Sequence, residues 1–304
     1  MIGLLISLQD AVVQGVLWGV MVLGVYITYK LLDVADLTVD GSFALGGCVC
    51  AVMILNFHAD PWVALLAASL AGMAAGAVTG LLHTVFEIPA ILAGILTQIG
   101  LWSINLRIMG GKSNVPLLKT DTIFSKFVDA AGFGKQAASL VIGIGFAVIM
   151  IALLYWFFGT EVGSALRATG NNESMIRAQG VNTNWTKLLA LTLSNGLVGI
   201  SGGLVCQSQK YADIGMGTGA IVIGLAAIVI GEVLMGRLRS FGSRLTSAVV
   251  GSVIYFVIRA VVLRMGMDAN DMKLLSAVIV ALALCVPVAA GKWRLKKSYT
   301  EGGQ

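Results

Sequence analysis

Three aspartates, Asp33, Asp36 and Asp40, fall within KLLDVADLTVDGSFALGG (residues 30–47), between two stretches apolar enough to sit in lipid. A carboxylate at the centre of a bilayer helix costs roughly 2.5–3.5 kcal/mol on insertion scales, so acids there line a polar pathway, meet a partner or stand at the membrane edge. Three kinds of chemistry fit them: holding an ammonium group, coupling movement to a proton or sodium ion, or capping a helix. Asp40-Gly41-Ser42 supplies an N-cap and permissive backbone for a helix that starts within or beside the membrane. Further along, Gln98, Trp102 and Asn105 recur at i, i+4 and i+7 beside Thr97 and Ser103, and Ser194 and Asn195 lie within another apolar run. Such a stripe serves either as a ligand surface or as hydrogen-bonding glue between helices. Trp102 adds a face on which an aromatic solute can stack. Glu232 and Arg259 lie deep enough in their own stretches to form an ion pair.

Little else in the chain could do chemistry. Cys48, Cys50, Cys206 and Cys285 lie in apolar segments with no CxxC pair and only two histidines in the chain, so they read as packing residues rather than metal ligands. There is no HExxH, and the nearest approach to GxSxG, Gly199-Ile200-Ser201-Gly202-Gly203, has its second glycine one place early. Gly110-Gly111-Lys112-Ser113 looks like the end of a phosphate-binding loop, but Leu106 stands where the first glycine is needed. No catalytic residue, metal site or bound cofactor is therefore expected.

The elements that must position these residues are membrane helices. Of the 304 residues, 58% are hydrophobic and 12% charged, with mean hydropathy +0.91; soluble domains carry about 25% charged residues. The expected fold is an all-α polytopic membrane protein. The 38 glycines fit this class, because small residues let helix backbones approach closely in lipid, and Gly72, Gly76 and Gly80 share one face. Apolar runs predict nine spans, near 10–30, 41–57, 61–85, 89–109, 139–158, 185–206, 217–236, 245–264 and 273–291. Pro61 and Pro89 suit the first turns of their helices. The first run is long and lacks a basic lead, so it is expected to stay as a span rather than be cleaved as a signal.

The net charge of +5 is scattered through short loops and the tail Lys292, Arg294, Lys296 and Lys297, a distribution that reads as topology and not as nucleic-acid binding. Together with Arg237, Arg239 and Arg244, the tail predicts a cytoplasmic C-terminus and, for nine spans, an external N-terminus. The 110–138 segment is then external although it carries Lys112, Lys119, Lys126 and Lys135.

Sliding the chain against itself by 177 residues lays Ala35-Asp36-Leu37 on Ala212-Asp213-Ile214 and Gly47 on Gly224. The same offset carries spans 1–4 onto spans 6–9, and an odd number of spans between mates makes the repeat inverted, an arrangement transporters use to build a pathway at the repeat interface. The expected organisation is one transmembrane domain over 1–304. Its parts are a first repeat at 10–109, a connector with span five at 110–160, a cytoplasmic loop at 161–184, a second repeat at 185–291 and a basic tail at 292–304. Asp36 would lie toward the cytoplasmic side and Asp213 toward the outside. Helix N-termini attract carboxylates and the aspartates attract ammonium, so a zwitterionic amino acid would satisfy both. The candidate substrate pathway comprises Asp36, Asp40, Ser42, Gln98, Trp102, Asn105, Asn195 and Asp213.

Residues 161–184, EVGSALRATGNNESMIRAQGVNTN, predict two short helices, Gly163–Thr169 and Asn172–Gln179, broken at Gly170, with Asn171 as cap and Gly180 as stop. Such amphipathic helices suit docking into a protein groove. Gly163, Leu166-Arg167-Ala168, Gly170, Asn172, Ala178 and Gly180-Val181-Asn182 match the cytoplasmic-loop pattern of permease subunits of ATP-binding-cassette importers, the branched-chain amino acid and ribose type, which the chain resembles from span one to span nine. Asp36-Leu37-Thr38-Val39-Asp40-Gly41-Ser42-Phe43 with Gly46 resembles the tryptophan/tyrosine subgroup of that family.

That resemblance implies a permease in the bacterial cytoplasmic (inner) membrane, working as a homodimer. It implies a cytoplasmic ATPase dimer docked on the loop through Glu161, Gly163, Leu166, Arg167, Gly170, Asn172, Arg177 and Gly180. It also implies an external substrate-binding protein or lipoprotein, with ATP and Mg held by the partner ATPase, and amino acids as solute, aromatic ones first. A stand-alone secondary transporter or channel using Asp33, Asp36 and Asp40 for ion coupling is the alternative.

Overall fold

The structure, a computed structural model, describes residues 2–118, 120–132, 134–236, 240–267, 271, 274–282 and 285. Lys119, Arg237, Arg239 and the basic tail at 292–304 lie outside them. Helix α1 (Ile2–Tyr26) runs into a π-helical turn at Ile27–Leu31, and α2 (Thr38–Leu55), α3 (Pro61–Thr84) and α4 (Ala90–Ile108) follow. A β1 strand (Asn114–Pro116) and α5 (Ile123–Ala131) precede α6 (Lys135–Gly159). Then come α7 (Glu161–Asn171), α8 (Glu173–Ala178), α9 (Thr183–Gln209), β2 (Tyr211–Asp213), α10 (Ala220–Met235) and α11 (Phe241–Arg264). Residues 274–282 are also helical.

Among the described residues, seven helices are long and apolar enough to cross a membrane. Of the nine expected spans, the one near 217–236 is α10, only 16 residues long, and the one near 273–291 falls only partly within the described residues. The 110–138 segment holds the amphipathic α5, closed by a Thr122/Ser125 capping box, and β1, which pairs antiparallel with β2. Because α9 leads from α8 to β2, the β1–β2 ribbon and the α7–α8 pair mark opposite ends of the bundle.

Local chemistry sets several helix starts. Asp60 accepts the Trp62 amide ahead of Pro61 at the first turn of α3, and Asn182 accepts the Asn184 and Trp185 amides at α9. Burial then sorts the helices: α1, α2 and α9 are mostly enclosed, whereas α3, α4 and α6 turn rows such as Leu66, Leu70, Ile99 and Trp156 outward. Close packing around α9 needs glycine. A Cβ on Gly72 or Gly76 would run into the Asn195 or Leu191 carbonyl, and one on Gly46 into the Gly199 backbone.

Candidate functional site

Asp36 is the polar centre of the bundle. It is 2% exposed, and its Oδ1 accepts from the Thr38 amide (2.9 Å) while Oδ2 accepts from Asn195 Nδ2 (2.7 Å). Asn195 stands near the middle of the 27-residue α9, about 18 Å along the axis from Thr183 at 1.5 Å per residue. The chain therefore turns back after Leu31 and climbs toward mid-depth before α2 begins. Thr38, Thr79 and Thr97 extend the node across α2, α3 and α4 through hydroxyl bonds of 2.7 and 2.9 Å. Thr38 and Thr79 were not singled out in the sequence; the signal available was a hydroxyl beside each of two features already noted, Asp36 and the glycine row on α3.

Asp40 has a different job from the expected one. It lies in the first turn of α2, a helix that starts at Thr38 rather than at Gly41, and its carboxylate reaches across to α10. There Oδ2 accepts from the Gly219 amide (2.8 Å) and Oδ1 from the Ile221 amide (2.9 Å). Gly219 occupies the left-handed region at φ +82° and offers no side-chain cap of its own, so Asp40 supplies the missing acceptor for the N-terminus of α10. Asp213 makes the same i→i+2 bond as Asp36, accepting the Gly215 amide (2.7 Å), and also accepts from Asn114 Nδ2 (3.2 Å).

The other candidates divide. Ser42, Asn105 and Asn195 are at most 1% exposed, and Ser42 Oγ, Asn105 Oδ1 and Asn195 Oδ1 are buried without a hydrogen-bond partner. Ser42 and Asn195 each stand one helical turn before the contacting glycines Gly46 and Gly199. Gln98 is half-buried, and Trp102, on the same stripe as Asn105, is 53% exposed and faces outward. Glu232 does not pair with Arg259. It takes Lys30 Nζ at 2.9 Å, tying the end of α10 to the end of the π turn, whereas Arg259 lies over the Phe256 ring.

In the loop, the two short helices run Glu161–Asn171 and Glu173–Ala178. Gly170 does not break them but sits inside α7, where a Cβ would strike the Leu31 carbonyl. The cap of α8 is Asn172, whose Oδ1 accepts the Met175 amide (3.0 Å), rather than Asn171. Gly180, at φ +85°, ends the pair. Leu166 is fully buried, Gly163 presses on the Phe157–Phe158 backbone, and Arg167 donates to the Phe158 carbonyl (2.7 Å) while lying over Phe241. These residues hold the loop to its own bundle. Glu161, Asn172, Arg177 and Gly180 are exposed. Glu173 clasps α8 to α9: it accepts from Lys187 Nζ (2.7 Å), Thr183 Oγ1 (3.0 Å) and Arg177 (3.0 Å). The Lys187 bond, aided by Thr183 and Arg177, holds its carboxyl below the usual range against the opposing effect of partial burial.

A cavity of about 1120 Å³ opens at the β1–β2 end and runs between α1, α9, α10 and α11 down to Gly219, where Asp40 holds the start of α10. None of the eight pathway candidates lines it directly.

A family model described as branched-chain amino acid transport system / permease component matches residues 7–286. The tyrosine transport system permease protein of Clostridioides difficile (strain R20291) is 39% identical over 267 residues, which are 88% of this chain and 86% of that protein. The ribose import permease protein RbsC of Escherichia coli (strain K12) is 25% identical over 252 residues, 83% of this chain and 76% of its own. The probable branched-chain amino acid transport permease protein LivH of Methanocaldococcus jannaschii is 25% identical over 71% of this chain and 70% of its own. No solved structure matches the chain.

Proposed function

The chain belongs to the family of branched-chain amino acid transport system permease components, and from that premise we propose that it is the membrane subunit of an ATP-driven importer of amino acids, aromatic ones first. The permease works as a homodimer. A cytoplasmic ATPase dimer docks on α7–α8 and holds the ATP and Mg, and an external binding protein delivers the solute. The N-terminus is external and the C-terminus cytoplasmic, with nine spans in two inverted repeats. The observation that carries the coupling is the seating of Gly170 on the Leu31 carbonyl. Pressure on α7 would move the π turn and, through Val34 to Asp36, the start of α2.

The repeat draws support from packing. Under the 177-residue offset, the approach of Gly47 to Gly202 corresponds to that of Gly224 to Val25. The seam between Gly72–Gly76 and α9 likewise corresponds to that between Val249–Val253 and Gly19–Gly15. Asp36 and Asp213 share the same local turn bond. The tyrosine transport relative supports an aromatic solute. Asp36 and Asp40 spend their oxygens on Thr38, Asn195, Gly219 and Ile221, which counts against ion coupling by these carboxylates.

The test is reconstitution of the permease with a cognate ATPase and binding protein in proteoliposomes, with labelled tyrosine. ATP-dependent uptake, and ATP turnover that rises with the loaded binding protein, are expected. Failure to assemble with the ATPase, or uptake by this chain alone driven by an ion gradient, would overturn the reading.

A further inference from the structure

The cavity at the β1–β2 end is lined by a charge that has no ion-pair partner among the described residues. Arg259 lies within α11, five residues before its end at Arg264, on a helix apolar enough to span a membrane. A guanidinium inside a span is costly unless it meets a partner, water or the interface. Arg259 is half-buried, and among the described residues it has no hydrogen bond or ion pair; its nearest favourable contact is the Phe256 ring, 5.8 Å from Cζ to the centroid. Its position so near the helix end is within reach of the interface, and snorkelling would be the bland explanation. The side chain instead lines the cavity. Its neighbour Arg264 is engaged by Ser7.

The remaining walls suit an aromatic body. Trp18 and Phe256 both line the cavity with ring centroids 5.4 Å apart, and Trp18 is backed by Phe43 at 4.5 Å. Tyr211 and Met216 add apolar surface from the segment that leads into α10. The Asp10 carboxylate also lines the cavity, bonded by Gln136. The volume of about 1120 Å³ is slightly above the range of about 300–1,000 Å³ usual for small-molecule sites.

We propose that this cavity is a solute chamber in which Arg259 binds the carboxylate of an aromatic amino acid, with Trp18 and Phe256 forming the wall against its ring. The assignment rests on the permease reading and names the solute-recognising residues within it. Arg259 is suited to the task because its planar fork matches a carboxylate and a guanidinium carries a permanent positive charge. The aromatic wall selects for a flat apolar group, and Asp10 on the same chamber offers an anion to the ammonium end.

The experiment uses the full chain in lipid nanodiscs without ATPase or binding protein. Binding of labelled L-tyrosine and L-phenylalanine is compared with that of tyramine and phenethylamine, which lack only the carboxylate. The amino acids should bind at least tenfold more tightly than the amines. Arg259→Gln should weaken the amino acids about 10- to 100-fold, as expected for loss of a charge-assisted pair, and leave the amines within twofold. Arg259→Lys should fall between, which guards against misfolding as the cause, and the thermal midpoint of each variant is read alongside. Equal binding of acids and amines, no binding of either amino acid to the wild type, or an Arg259→Gln variant unchanged toward tyrosine would each overturn the chamber. ATPase assembly through α7–α8 does not involve Arg259, so its retention separates failure of this proposal from failure of the permease reading.

Discussion

Asp36 and Asp40 make opposite demands on the same ten residues of sequence. Asp36 is bound inside its own half by Thr38 and across to α9 by Asn195, so Asp36→Ala strands a buried amide donor on each side. The expected cost is about 1–3 kcal/mol, read as a thermal midpoint lowered by several degrees in detergent; a midpoint unchanged from wild type would mean that the node contributes nothing to stability. Asp40→Ala should act at a distance. Its partners are the Gly219 and Ile221 amides, and these should exchange hydrogen faster while the start of α2 itself stays protected. Acids in this stretch were legible in the sequence as residues needing a reason. Which amides they would satisfy was not, because capping rules describe only the chain's own next turn, whereas Asp40 caps a helix 179 residues away.

At the scale of elements, the points that hold the α7–α8 pair include Leu166 in the core, Gly170 on Leu31, Arg167 on the Phe158 carbonyl and Glu173 on Lys187. Gly170→Val should lift α7 from the π turn, reducing ATPase-coupled transport more than membrane insertion; coupling equal to wild type would remove α7 from the transmission path. The Glu173 clasp gives a pH signature. Its folded carboxyl titrates below the ordinary value of 4.5, so its contribution is fully present above that value and is lost as pH falls through the lower folded one. Hydrogen exchange across 173–187 should be flat above the ordinary value of 4.5 and rise only as pH falls below it, after correction for intrinsic rates. Glu173→Gln should show the loosened pattern already at neutral pH. The partners are 17–59% exposed, so solvent screening keeps the effect under about 1 kcal/mol. The loop pattern in the sequence marked this element correctly as a unit, yet Leu166 and Gly163 turn inward, since their motif positions serve the seat of the loop on its own bundle.

For the whole molecule, glycine seams recur between packed helices, and two of them invite comparison. Gly72 lies against α9 and Gly15 against α11, where a Cβ would stand 2.5 Å from Val253 Cα. If the two halves are repeats, Gly15→Leu and Gly72→Leu should destabilise comparably, each by about 1–3 kcal/mol or more from overpacking. A neutral Gly15→Leu beside a damaging Gly72→Leu would show the seams to be inequivalent. The glycine row on α3 was readable as a close-packing face from its four-residue spacing, whereas the contact of Gly15 and Gly19 with α11 shows only in the packing.

The sequence by itself determined that the chain lives in a membrane, where most of its helices run, and which family it joins. Hydropathy and helical period are sums over neighbouring residues, and family motifs are local strings, so no long-range contact is needed to read them. Only the tertiary structure decided that Asp36 meets Asn195 at mid-depth, that Lys30 rather than Arg259 neutralises Glu232, and that Arg259 lines a cavity with no ion pair among the described residues. Those outcomes depend on how two halves of the chain close against each other, and a charge chooses its partner by distance in space, which hydropathy does not encode.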